Sequence, residues 1–457
     1  MQVSFWKEYK EYYKRLTMLG LPVLVTQLGI IVVSFADTMM VGHYGTDELA
    51  AAAFVNSLFV VVTVMQIGFA SGLTPLVGAL FGRGETHRAG RMLRAGLEVN
   101  ILVSASFTLI MGILYFFLDR FGQPVELLPL IRKYYLIILA SLLPMAVFNS
   151  FQQTCNGITD TRTPMWFILG ANVLNIVGNY ALIYGHWGMP EAGLAGAGFS
   201  TLTARIVAAL GIAIYFIYRR TYRPYREGFA AAGQRGSLHR EVWATSYPVM
   251  IQSGVECSLW TFGAIVCGWY GKIQLAAYQV VTTISQLGFM IYMSFSTALS
   301  ILVANFTGRE AWLSVRHVTI AGLHLILALA TLSSIVFLIF GHTLIASFTP
   351  DIAVEASAAG LILPLVVYQY MDAVQLTYCN AIRGTSHVQP LLWIALGCYV
   401  GIGAPVLLWF AGSFTAANMG IYWSFCIALG AAALLLSSFF YRIVGKEERG
   451  VYAKTKN

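Results

Sequence analysis

The chain has 457 residues, 58% of them hydrophobic. Only 11% are charged, against about 25% in an ordinary soluble domain. That balance excludes a soluble or a disordered protein and defines a polytopic membrane protein, and the formal charge of +8 must be read from its distribution.

Taken in order, Met1 to Arg15 is polar, aromatic and basic and runs directly into the first apolar segment, so no cleavable signal peptide is expected. Twelve apolar segments long enough to cross a bilayer follow, at roughly 16–41, 49–80, 92–118, 129–155, 164–185, 193–219, 243–270, 275–306, 314–341, 352–381, 389–412 and 416–443. With both termini cytoplasmic, 23 of the 28 Lys and Arg fall inside, only Arg120, Arg132, Lys133 and Lys272 fall outside, and Arg205 lies within a span. The positive-inside rule accounts for this asymmetry and for the basic charge, with no nucleic-acid partner. The expected location is the cell inner (plasma) membrane, with lipid as the surroundings. All six cysteines lie in expected spans without a CxxC pair, which supports neither a disulfide framework nor a metal site.

An internal repeat organises the chain. Pro22-Val23 recurs as Pro248-Val249, an offset of 226, which also carries Gly42, Tyr44 and Gly45 onto Gly268, Tyr270 and Gly271. Leu49-Ala50-Ala51, Gly82-Arg83 and Ala95-Gly96 recur at the same offset, and Cys155-Asn156 and Pro164 match Cys379-Asn380 and Pro390 with a two-residue slip between. An offset held through turn glycines and prolines for about 75 residues is an architectural repeat. Six spans per copy is an even number, so both copies enter from the same side. The expected fold is an all-α membrane protein with twelve transmembrane helices in two six-helix lobes related by a parallel pseudo-two-fold repeat. The lobes are expected at 1–218 and 243–457, the second ending in a short basic cytoplasmic tail, with a cytoplasmic linker at 219–242.

Three acids, Asp37, Glu256 and Asp372, interrupt apolar sequence and break the repeat. Asp37 falls opposite Gly263, Glu256 opposite Ile30, and Asp372 opposite Phe148 or its neighbours. A charge at the centre of a membrane helix costs about 2.5 to 3.5 kcal/mol, so such residues face a protein interior or a wet cavity and usually serve a pathway. The bland alternative is a carboxyl group satisfied by a neighbouring helix.

In the second half Gln252, Glu256 and Trp260 share one helix face, and Tyr368, Gln369, Asp372 and Gln375 form a polar stripe on the tenth span. Two carboxylates with amide and phenol oxygens suit either Na⁺ or H⁺. In the first half Asn172, Asn175 and Asn179 share a face of the fifth span, and with Gln27, Ser34, Asp37, Thr38 and Thr201 they can line a wet cavity. Arg205 can pair with Asp37 or snorkel to the interface. Trp260, Tyr278, Tyr368 and Tyr370 are candidates for contact with flat cationic substrates. Neither aspartate sits in a GxGD setting and no HExxH or GxSxG occurs, so the chain is not read as an enzyme and no cofactor is expected.

Leu19-Gly20-Leu21-Pro22, Gln27, Phe35-Ala36-Asp37-Thr38 with Gly42, the run Asn175 to Tyr180 leading to Tyr184-Gly185, and the Pro248 to Glu256 spacing together resemble the multidrug and toxic compound extrusion (MATE) transporters, most of all their NorM-like branch. The resemblance covers the whole chain and implies a monomeric antiporter in which Na⁺ or H⁺ enters as an amphipathic, often cationic drug leaves. It implies a C-lobe cation site, with Na⁺ at Glu256 and Asp372 and Tyr368 beside them. It also implies an N-lobe polar cavity at Asp37, Asn175, Asn179 and Thr201. The candidate substrate contacts, read from the residues themselves, are Gln252, Trp260, Tyr278, Tyr370 and Gln375. The sequence departs from the pattern at Tyr278-Gln279, where many relatives read His-Gln, and in Arg205. The alternative on a related fold is a lipid-linked precursor flippase, whose pyrophosphate would favour a cationic cavity.

Overall fold

The computed structural model describes residues 5–231, 235–414 and 416–456, so residues 232–234 of the expected linker lie outside the described residues. It divides into two compact units. One is Val25–Met250, and the other joins the residues up to Leu24 with those from Ile251 onward. Helices α1 (Phe5–Tyr44) and α10 (Arg235–Trp269) are each shared between them. The first unit adds α2 (Thr46–Ser71), α3 (Leu73–Gly82), α4 (Thr86–Tyr115), α5 (Leu128–Ala140), α6 (Leu142–Gly157), α7 (Arg162–Tyr184), α8 (Gly193–Tyr218) and α9 (Arg223–Ala230). The second adds α11 (Lys272–Gly308), α12 (Trp312–Phe348), α13 (Ile352–Ala359), α14 (Ile362–Gly384), α15 (Gln389–Ala395), α16 (Ala404–Ser413) and α17 (Ala417–Lys456).

Among the described residues eleven stretches are long and apolar enough to cross a membrane, and α13 with α14, bent by 45°, makes a twelfth when counted as one span. The bend falls at Gly360–Leu361, before Pro364. That proline sits in the first turn of α14, where its missing N–H costs no hydrogen bond. Pro22 and Pro248 lie inside helices that continue through them.

The repeat is realised as packing. A Cβ on Gly96 would stand 2.7 Å from the Leu73 side chain, and one on Gly322 would stand 2.9 Å from Leu299. Gly157 presses on Val77 and the Thr74 carbonyl, as Gly384 presses on Val303 and the Ser300 carbonyl. These contacts let the backbones of neighbouring helices approach, which is how spans associate where lipid offers no hydrophobic drive.

The shared helices follow from the same logic. In the second unit a Cβ on Gly20 of α1 would stand 2.7 Å from the Phe295 ring, and Tyr9 and Tyr13 engage His317 and His324 of α12. In the first unit Ser246 of α10 fills the space left by Gly72, and Trp243 packs on Phe69 at 5.6 Å. Gly20 and Ser246, like Phe69 and Phe295, are one repeat apart. Each helix therefore packs at a corresponding place in the repeat through different side chains, with its first half in one unit and its second half in the other. Helix α9 packs backbone to backbone on α4, because a Cβ on Gly90 would lie 1.9 Å from the Tyr225 carbonyl and one on Gly228 2.0 Å from that of His87. The preceding turn is pinned by Tyr222, which donates to the Asp160 carboxylate.

Candidate cation and substrate sites

In the second unit α14 supplies Asp372, which is 1% exposed. Its Oδ2 accepts from the Tyr292 hydroxyl of α11 at 2.7 Å and from Tyr368, one turn back on its own helix, at 3.4 Å. Glu256 is half-buried, and its Oε2 accepts from Gln252 Nε2 at 2.8 Å, the i, i+4 contact that the shared face requires. The same amide accepts through Oε1 from the Arg383 guanidinium, and Arg383 Nε is buried without a hydrogen-bond partner among the described residues. Tyr399, from the π-helical stretch 396–403, brings its hydroxyl to Glu256 and accepts from Gln375 Nε2 at 3.0 Å. Glu256 and Asp372 lie within electrostatic reach of each other, with no direct hydrogen bond between them.

The polar stripe of α14 divides. Tyr368, Asp372 and Gln375 face this cluster, whereas Gln369 accepts from Ser333 and Ser334 of α12 and Tyr370 donates to Thr331. Trp260 stands edge-on to Tyr368 at 5.1 Å and 4.1 Å from Phe425, and its carbonyl accepts from Tyr278. Of the candidate substrate contacts, Trp260 and Tyr370 are half-buried, while Gln252, Tyr278 and Gln375 are sealed. Tyr292, Tyr399 and Arg383 were not anticipated. Arg383 had a signal, since eleven residues after Asp372 is three helical turns and returns to the same face.

In the first unit Asp37 is half-buried and its Oδ1 accepts from Asn179 Nδ2 at 2.5 Å. With the Asn175 amide turned so that its oxygen faces α8, its nitrogen donates to the same Oδ1 at 2.8 Å. Its oxygen then accepts from the Thr201 hydroxyl at 3.1 Å and the Thr201 N–H at 3.3 Å. Asn175 and Asn179 are both buried. The structure thus brings together all four residues expected of the N-lobe cavity. Arg205, one turn beyond Thr201, donates to Ser141 Oγ at 2.6 Å and forms no ion pair with Asp37.

Among the described residues no ion pair includes Asp37, Glu256 or Asp372. Also among the described residues, no group of three or more His, Cys, Asp and Glu could hold a metal ion. A cation at Glu256 and Asp372 would therefore draw its remaining ligands from neutral oxygens, among them the Tyr292 and Tyr368 hydroxyls that bond Asp372.

The MatE family model matches the chain twice, over residues 22–181 and 248–409. The two matches begin on Pro22 and Pro248, the prolines that open the two copies of the repeat. The chain belongs to the MatE family. It is 29% identical to the probable multidrug resistance protein NorM of Geobacillus kaustophilus over 445 residues, covering 94% of this chain and 95% of that relative. It is 26% identical to the protein of the same description from Mannheimia succiniciproducens, covering 99% and 98%. Among solved structures, the Vibrio cholerae MATE transporter VcmN in the bent form superposes with a TM-score of 0.84 at 18% identity, covering 96% of this chain and 99% of that one. A MATE structure in the bent conformation reaches 0.88 at 15% identity, covering 96% and 97%. These structural likenesses establish a shared MATE fold.

Proposed function

We propose that this MatE-family chain is a cation-coupled multidrug exporter of the cell inner membrane, with both termini cytoplasmic. It binds an amphipathic, often cationic compound and a coupling cation alternately, with Na⁺ favoured and H⁺ the other candidate. The observation that carries the reading is the state of the three carboxylates: each sits within a span, each is held by neutral donors, and none is neutralised by an ion pair among the described residues. Buried charge without a partner is strongly unfavourable, so a mobile positive charge is what such a site can gain from binding.

In this reading Glu256 and Asp372 form the cation site of the C lobe, with Tyr368 as a neutral oxygen donor, and Asp37 with Asn175, Asn179 and Thr201 forms the polar cavity of the N lobe. Trp260 and Tyr370 are the aromatic faces open to substrate. The lobes are the two repeat copies, 1–218 and 243–457, joined by the linker 219–242. One cation falling through 100 mV releases about 2.3 kcal/mol, and each tenfold gradient of a neutral drug requires about 1.4 kcal/mol. A single ion therefore sustains somewhat more than a tenfold gradient from the potential alone. The test is drug efflux from proteoliposomes with Na⁺ and pH gradients imposed separately. Efflux should follow one of the two gradients and be lost in Glu256→Gln and Asp372→Asn, and wild-type export by both variants under both gradients would overturn the reading.

A further inference from the structure

The outward side of α7 and α8, where both helices turn large apolar side chains away from the protein, carries a groove of about 370 Å³. Gly211 makes the groove deep, because a Cβ there would stand 2.9 Å from the Phe167 ring. Phe167 and Tyr215 meet edge to face at 5.7 Å, and Ile214 and Tyr218, 53% and 79% exposed, complete the walls. Arg219, the first residue beyond α8, closes one end with its guanidinium 5.9 Å from the centre of the Tyr215 ring. Arg220 follows it into the open.

The other arginines of this turn are engaged. Arg223 pairs with Glu227 at 2.9 Å, and Arg226 donates to the Ile217 carbonyl. Arg219 and Arg220 belong to no ion pair among the described residues. The span thus ends in an apolar trough followed by two guanidinium groups that no carboxylate engages among the described residues.

We propose that this groove holds one anionic phospholipid, with an acyl chain along Phe167, Gly211 and Tyr215 and the phosphate at Arg219 and Arg220. The depth is right: α8 leaves the apolar layer at Tyr218, where a bilayer presents its phosphates and where aromatic side chains gather. The chemistry is right as well. A guanidinium matches a phosphate with paired, charge-assisted hydrogen bonds, and basic pockets between spans recognise anionic headgroups. A zwitterionic lipid brings its own ammonium to compete for the phosphate, and a cationic amphiphile meets like charge at the rim. The site lies within one unit, none of the three intramembrane acids lines it, and it is independent of the proposed transport reaction.

The test uses the full chain purified in a neutral detergent, with thermal unfolding followed as phosphatidylglycerol, phosphatidylcholine or inorganic phosphate is added, and retained lipid counted by native mass spectrometry. Phosphatidylglycerol should raise the midpoint saturably with one lipid retained, while the other two leave it unchanged. Arg219→Gln/Arg220→Gln should weaken the phosphatidylglycerol response on the order of tenfold, and Arg223→Gln should not. Ile214→Trp, which fills the groove from an exposed position and leaves both arginines in place, should lose the response too, and it serves if the double variant does not fold. Equal protection by phosphatidylcholine or by inorganic phosphate, or an undiminished response in the double variant or in Ile214→Trp, overturns the proposal.

Discussion

Arg383 and Glu256 do not touch: Gln252 stands between them, accepting from the guanidinium through Oε1 and donating to the carboxylate through Nε2. The cation is thereby kept close enough to be felt by the acid and too far to neutralise it by contact. An amide relay of this kind holds the geometry of the carboxylate while leaving its charge available. The first unit has a parallel arrangement, with Arg205 on Ser141 and Asp37 on two asparagines. Three acids are thus set against two buried or half-buried arginines.

The relay predicts that Arg383→Gln strengthens cation binding. Removing a resident positive charge near Glu256 relieves repulsion of an incoming cation, and at an effective dielectric of about 20 a unit charge several ångströms away is worth a few kcal/mol. The half-saturating Na⁺ concentration for drug efflux should fall by about tenfold or more. Arg383→Lys, which keeps the charge and loses the planar fork, should stay near wild type. An unchanged or raised Na⁺ requirement in Arg383→Gln would show that the guanidinium only supports Gln252.

Asp372 offers a separation of structure from function. Tyr292 is fully buried and donates to this carboxylate, so Asp372→Leu leaves its hydroxyl without an acceptor. That should cost about 1–3 kcal/mol and lower the thermal midpoint. Asp372→Asn keeps an acceptor oxygen and should unfold close to wild type while losing coupled efflux. Comparing midpoints with efflux rates for the two variants checks both halves of the claim.

How much of this could be read from the sequence depends on what each feature needed. The repeat was legible because its turn and packing glycines recur at one offset, and Gly96 on Leu73 is rebuilt as Gly322 on Leu299. The acids were legible because a carboxylate is costly in an apolar run and stands out there. Tyr292 and Tyr399 were not, since a phenol in a membrane span looks like any packing aromatic until its partner is known. The sharing of α1 and α10 between units was hidden for a related reason: Gly20 finds Phe295 across more than half the chain, and no local pattern announces that contact.

The α4–α9 interface predicts a sharp difference among glycines. At Gly90 and Gly228 a methyl group meets backbone carbonyls, which cannot step aside, so Gly90→Ala or Gly228→Ala should cost about 1–3 kcal/mol and loosen α9. At Gly96 the neighbour is the buried Leu73 side chain, which can shift where a backbone carbonyl cannot, and Gly96→Ala should cost less than either. The double variant at Gly90 and Gly228 should cost less than the sum of the two, because both changes open one interface. Limited proteolysis of the linker, read with thermal unfolding, distinguishes these outcomes.

Alkaline pH should act on the same region. Tyr222 is buried in the turn before α9, and burial, reinforced by the neighbouring Cys155 and the Asp160 hydrogen bond, holds its phenol well above the usual value of about 10. Its folded-state affinity for the proton is raised. The stability it contributes is therefore complete below pH of about 10 and is lost progressively as pH climbs above it. Linker proteolysis should increase above that pH in wild type. In Tyr222→Phe it should already be faster at neutral pH and respond less to alkali.

The N-lobe site predicts an energetic coupling between residues that do not touch. Thr201 fixes the amide of Asn175, Asn175 and Asn179 both aim at Asp37 Oδ1, and among the described residues the Asn179 carbonyl oxygen has no hydrogen-bond partner. Thr201→Val should therefore lower efflux by letting the Asn175 amide turn away from Asp37. In an Asp37→Asn background that same substitution should have little further effect, since the carboxylate it was serving is gone. A double-mutant cycle on kcat/KM should return an interaction of about 0.5–3 kcal/mol, the range for residues in one hydrogen-bonded network. Strict additivity would mean that Thr201 acts on transport by a route that does not pass through Asp37.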